Sequence, residues 1–153
     1  MSSTTPKNID RTQGILPQKE KGSLQPIPCK AVEEERRMQL ERLAAGFRLF
    51  ALYGFDEGLA GHITYRDPEF KDHFWVNPLG VNFAQICISD LLLVNEGGSI
   101  IQGERPLNPA AFSIHSAVHK ARPDANSAAH AHSIYGRSFS SLGKILDPIT
   151  QDA

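Results

Sequence analysis

Residues 108–133 read NPAAFSIHSAVHKARPDANSAAHAHS, a helix, a break and a strand in succession. Asn108 can accept hydrogen bonds from the first free amides of a helix, and Pro109 suits the first helical position because it has no amide to leave unsatisfied. The helix is predicted to run to about Lys120, where Arg122-Pro123-Asp124 stops it. Ala128-Ala129-His130-Ala131-His132 then reads as a short strand, and Ser133 as the cap of another helix through Phe139.

On a strand, residues two apart project to the same face, so His130 and His132 can both reach one divalent ion. Ser127, Ala128 and Ala129 are small and leave space beside the backbone. Because the strand runs straight into a capped helix, the two histidines are predicted at a sheet end, where pockets form. His115 and His119 lie at i and i+4 on the preceding helix. No acid accompanies them in a zinc-protease arrangement, so His119 is expected at the surface and His115 against the sheet.

Outward from this stretch, Gly61-His62-Ile63-Thr64-Tyr65-Arg66 and Phe74-Trp75-Val76 read as strands, with Asn77-Pro78-Leu79-Gly80 as a turn. Leu91–Val94 and Ser99–Gln102 form a predicted hairpin around Asn95-Glu96-Gly97-Gly98. Leu40, Leu43, Ala44, Phe47, Phe50 and Ala51 recur at helical spacing, with Glu33, Glu34 and Glu35 early, which predicts an amphipathic helix from about Ala31 to Tyr53-Gly54. The order helix, several strands, helix, strand, helix predicts an α/β fold with helices packed on a mixed sheet, with antiparallel pairing at the hairpin. Residues 1–30 hold Pro6, Pro17, Pro26 and Pro28 and no apolar periodicity, and are expected to be a disordered tail, leaving one domain over 31–153.

With 16 Lys+Arg against 17 Asp+Glu, the formal charge is -1, so the basic surplus of a phosphate-neutralising nucleic-acid binder is missing. No apolar run approaches the length of a membrane span, and the amino terminus has no apolar segment fit for secretion. Only Cys29 and Cys87 are present, so a cytoplasmic setting with free thiols is expected.

Taken in order and spacing, the Gly61–Arg66 strand, the Asn77–Gly80 turn, the His115 helix leading into Arg122-Pro123-Asp124-Ala125-Asn126, and His130-Ala131-His132-Ser133 resemble the class II aldolase/adducin amino-terminal domain family. The phrases at 58–64, 73–78 and 147–153 are most similar to its fungal, adducin-like members. The resemblance covers about Glu34 to the end. It implies a three-layer α/β/α sandwich with a central, largely antiparallel mixed sheet, often tetrameric. It also implies Zn²⁺ held by three histidines, with a Glu at the helix start moving a proton. His130 and His132 match the first two ligands; the third lies further downstream in the family, beyond Ala153, so the chain resembles a member incomplete at the carboxyl end.

The departures are chemical. The family's carboxylate position is Ala111, its paired serines are Pro109 and Ala110, its phosphate-binding Asn is His62, and the Thr of its Pro-Thr-Gly turn is Leu79, beside Gly80. These residues mark the expected substrate pocket, now without its phosphate-gripping groups, and no catalytic residue is assigned. Loss of a positioned acid or base removes a factor of about 10²–10⁴. The expected function is therefore a non-catalytic, adducin-like scaffold or actin-related cytoskeletal domain with a residual, weakly held Zn²⁺ or other divalent metal. The alternative is a metal-dependent aldolase, epimerase or related carbonyl lyase acting on a small unphosphorylated substrate. The family analogy adds actin or cytoskeletal partners and homo-oligomerisation of a complete domain, with no nucleic acid and no membrane.

Overall fold

A computed structural model describes residues 31–58 and 60–151; the expected disordered tail, 1–30, lies outside them. Helix α1 spans Val32–Leu52, and strands β1 and β2 span His62–Arg66 and His73–Val76. Two 3-10 turns, Phe83–Gln85 and Ile88–Asp90, precede strands β3, Leu92–Asn95, and β4, Ile100–Gln102. Helix α2, Pro109–Ala121, strand β5, Ser127–His130, and helix α3, Ile134–Ser140, complete the order. None of the described helices is long and apolar enough to cross a membrane.

The strands form one sheet in the order β4-β3-β2-β1-β5, and all four ladders are antiparallel. The expected mixed character is reduced to one isolated parallel bridge, Asp56 to His132. Consecutive strands joined by short connections pair antiparallel. Only the β4-to-β5 connection, which carries α2, crosses the sheet, and it delivers β5 to the far edge beside β1.

Strand alternation divides the core in two. On one face, Leu40, Leu43 and Phe47 of α1 pack on Ile63, Trp75 and Leu93 with Phe83, Ile86 and Leu91 from the 3-10 turns. Phe47 meets Phe83 edge-on, ring centroids 4.8 Å apart. On the other face Phe74, Val76, Leu92 and Val94 pack under Ala111, with Leu107 and Phe112 alongside. Helix, sheet and helix thus make the three layers expected. Helix α1 ends with Tyr53 as its cap and Gly54 at φ 75, a left-handed conformation that glycine adopts without strain.

Three elements converge at one end of the sheet. His62 begins β1, opposite His130 at the end of β5, and Val76 ends β2 opposite Thr64. The turn after β2 is tied to the start of α2 by the Pro78–Leu107 bridge and by the Leu79 amide donating to the Pro106 carbonyl at 2.9 Å.

Candidate metal centre

His130 ends β5 and His132 follows as a one-residue bridge, so the strand stops two residues earlier than the spacing predicts. The two imidazoles nevertheless converge, with Nε2 of His130 and Nε2 of His132 2.8 Å apart. Around a tetrahedral zinc with Zn–N of about 2.0–2.1 Å, neighbouring nitrogens stand about 3.3 Å apart. An opening of about half an ångström would therefore let both face one ion. Among the described residues no three His, Cys, Asp or Glu side chains group around a point, so two imidazoles are the donor set this chain shows.

His62 stacks on His130, with ring centroids 4.9 Å apart and planes 17° from parallel. A metal binds in the plane of an imidazole ring, and two near-parallel offset planes do not share such a point, so His62 supports the pair from the side.

Behind His62 runs a buried polar row. His62 Nδ1 lies 2.9 Å from His115 Nε2, and Thr64 Oγ1 lies 2.6 Å from His115 Nδ1 and 2.9 Å from His119 Nε2. Arg66 Nη2 donates to the His119 carbonyl at 2.7 Å and faces His119 Nδ1 at 3.3 Å. The row is a consequence of two periodicities: His62, Thr64 and Arg66 alternate on one face of β1, and Ala111, His115 and His119 fall at i, i+4 and i+8 on α2. His119, expected at the surface, is 4% exposed, because that same stripe turns it onto Thr64, Arg66 and Phe74. His115 packs against the sheet as expected. Thr64 and Arg66 carry the row without being metal-ligand residue types; the sequence signal for them is the match of β1 alternation to the α2 stripe.

Burial pushes His62 down to about 4, with His130 and His132 adding to the effect. Burial likewise pushes His115 down to about 4, aided by His62, His119 and His130. Burial and the Arg66 guanidinium also lower His119. All three rings are therefore neutral near pH 7.

The expected pocket residues come to the same sheet end but offer few groups. Leu79 is exposed, and Gly80, at φ 83, faces open space. Pro109 and Ala110 begin α2 at the surface, where the Asn108 side chain accepts from the Ala110 and Ala111 amides at 3.0 and 3.4 Å. These amides are thus already capped. Ala111 has no exposed surface. Among the described residues two buried side-chain atoms lack a partner: Arg66 Nε, in the row itself, and Asn77 Oδ1, whose Nδ2 donates to the Gly61 carbonyl at 3.4 Å.

Residues 41–153 match the family described as Class II Aldolase and Adducin N-terminal domain. The meiotically up-regulated gene 14 protein of Schizosaccharomyces pombe is 45% identical over 119 residues, 77% of this chain and 46% of that protein. Decarboxylase NovR of Streptomyces niveus is 44% identical over 131 residues, 84% of this chain and 48% of that protein. Alpha-adducin of Mus musculus is 37% identical over 115 residues, 73% of this chain and 16% of that protein. Among solved structures, the L-fuculose 1-phosphate aldolase from Glaciozyma antarctica PI12 superposes with a TM-score of 0.79 at 52% identity, covering 84% of this chain and 53% of that one. The chain spans about half the length of the first two relatives and of this structure. It belongs to the class II aldolase and adducin amino-terminal domain family.

Proposed function

We propose that this domain supplies the two-histidine part of a divalent-metal site for carbonyl lyase chemistry on a small unphosphorylated oxo acid. The observation that carries this reading is the 2.8 Å convergence of His130 and His132 Nε2 at a sheet end. Class II aldolases are typically divalent-metal dependent, and an ion held by His130 and His132 would act as a Lewis acid for a carbonyl oxygen. Ala111 argues against reactions that begin with proton abstraction, because the family's acid/base position is a methyl group buried in the core. Loss of carbon dioxide from a 3-oxo acid is different. The bond to the carboxylate carbon breaks, its electron pair passes towards the carbonyl, and a proton is needed only afterwards. Such a lyase tolerates Ala111 better than an aldolase does; the relatives divide, with 44% identity to a decarboxylase and 52% to an L-fuculose 1-phosphate aldolase, so the choice rests on Ala111. A sugar-phosphate substrate fits poorly, since Asn108 caps the first α2 amides and Leu79, Pro109 and Ala110 offer no phosphate-binding side chain.

The second reading is the adducin-like scaffold, favoured by the absence of a carboxylate at Ala111 and by the 37% identity to alpha-adducin. One experiment separates them. The chain, with added Zn²⁺ or Mn²⁺, is assayed for carbon dioxide release from unphosphorylated 3-oxo acids and for aldehyde release from ketose phosphates, and is sedimented with filamentous actin. Metal-dependent release from the oxo acids that disappears in His130→Ala is the expected result. Co-sedimentation with actin, without any metal-dependent turnover, would favour the scaffold.

A further inference from the structure

The geometry points to His62 as a hydrogen-bond donor at the candidate metal centre, fixed in its Nε2–H form by a one-way relay that starts at Arg66. The direction follows from counting protons. A guanidinium has donors and no acceptor, so Arg66 Nη2, 3.3 Å from His119 Nδ1, makes that nitrogen the acceptor. The neutral His119 ring then carries its proton on Nε2 and donates to Thr64 Oγ1 at 2.9 Å. Thr64 has one hydroxyl proton and two places to send it. His115 Nδ1 at 2.6 Å is a far better acceptor than the Ala128 carbonyl at 3.4 Å. His115 thus accepts at Nδ1, carries its proton on Nε2, and donates to His62 Nδ1 at 2.9 Å. His62, accepting at Nδ1, has its own proton on Nε2.

The opposite polarity would put a proton on His119 Nδ1, facing the guanidinium, with the Ala125 carbonyl as the nearby acceptor. An N–H at Nδ1 would then meet the Arg66 Nη2 donor 3.3 Å away, a donor-to-donor contact that the outward relay avoids. The relay therefore runs outward from Arg66, and its last N–H belongs to the ring that stacks on His130.

Neither nitrogen of such a ring is free to bind a metal or take up a proton: Nδ1 is engaged and Nε2 is protonated. What His62 offers is an N–H suited to a carboxylate or carbonyl oxygen of a bound ligand. The ligand class rests on the function proposed above, whereas the tautomer does not. Thr64, His115, His119 and Arg66 are positioning residues, acting on the site through His62.

Long-range proton–nitrogen correlation spectra of the chain labelled with ¹⁵N histidine at pH 7.5 read the tautomers directly. His62, His115 and His119 should all show a bare Nδ1 and a protonated Nε2. Thr64→Ser should keep this pattern, while Thr64→Val should destroy the single tautomer at His115 and His62. Added Zn²⁺ should shift His130 and His132 and leave the His62 Nε2 proton in place. An Nδ1–H or rapidly exchanging His62 in the unmodified chain, an unchanged pattern in Thr64→Val, or displacement of the His62 proton by zinc would each overturn the proposal. Failure to find turnover on oxo acids would leave these spectra unchanged, so the two readings fail separately.

Discussion

Asp67 follows β1 with no exposed side-chain surface, yet it accepts five hydrogen bonds. Arg36 on α1 reaches it with Nε at 2.8 Å and Nη2 at 3.2 Å, Trp75 Nε1 at 2.9 Å, and the Glu69 and Phe70 amides at 2.9 and 3.0 Å. Burial alone would raise its pKa, but Arg36, the Phe70 and Glu69 amides and the Trp75 indole outweigh it and hold the group at about 2. Asp67→Ala would leave a part-buried guanidinium and an indole N–H without their acceptor, and urea denaturation should show a loss of about 3–5 kcal/mol; a loss below about 1 kcal/mol would contradict this role. The folded value lies below the ordinary 3.8, so the stabilisation is complete above that pH and is lost as pH falls towards 2, amounting to about 2 kcal/mol. Ala111 poses the opposite test. Its methyl is fully buried among Phe74, Val76, Leu92 and Val94. Placing a carboxylate there with Ala111→Glu combines overpacking with burial of a polar group, and should cost at least about 2 kcal/mol in the same assay. An Ala111→Glu protein as stable as the original would mean that the side chain escapes the core towards the site.

Helix α2 is fastened to β1 by polar contacts as much as by apolar ones, which makes this junction sensitive to acid. His62 and His115 have folded values of about 4 against an ordinary 6.5. The unfolded chain therefore binds protons more readily than the folded one between those limits. Stability is complete above about pH 6.5 and falls as pH drops towards 4, with uptake of about two protons on unfolding. Melting temperatures measured from pH 7.5 to 4.5 should fall through this window, and a flat profile would show that the buried row is not neutral. This junction also shows where sequence reading succeeds and stops. Asn108-Pro109 and Arg122-Pro123 announced both ends of α2 through backbone chemistry that is local. The placement of His119 is not local: it depends on which strand lies under the i, i+4, i+8 stripe, and β1 arrives there only because the β4-to-β5 connection crosses the sheet. The 3-10 turns that close the α1 face, with Phe83 and Ile86 buried, gave no periodic signal because each is three residues long.

Across the whole molecule, apolar surface is unevenly covered. Strands β2 and β3 bury most of their side chains, whereas the edge strand β4 exposes Ile100 and Ile101, and α3 and the residues after it expose Ile134, Tyr135, Leu142, Ile145, Leu146 and Ile149. Exposed apolar side chains in this number favour association, so the 153-residue chain should self-associate at micromolar concentration. Light scattering behind size exclusion would contradict this by showing a monodisperse monomer with no dye-binding apolar surface. The centre of the account, however, is the metal. Four-ligand structural zinc sites are worth about 10–16 kcal/mol, so two imidazoles should hold the ion at a dissociation constant of about 10 µM or weaker. The most direct measurement is a zinc titration of the chain, by calorimetry, beside His130→Ala and His132→Ala. The account predicts one weak site that either substitution abolishes. Tight zinc that survives both substitutions, or no zinc binding at millimolar metal, would contradict it.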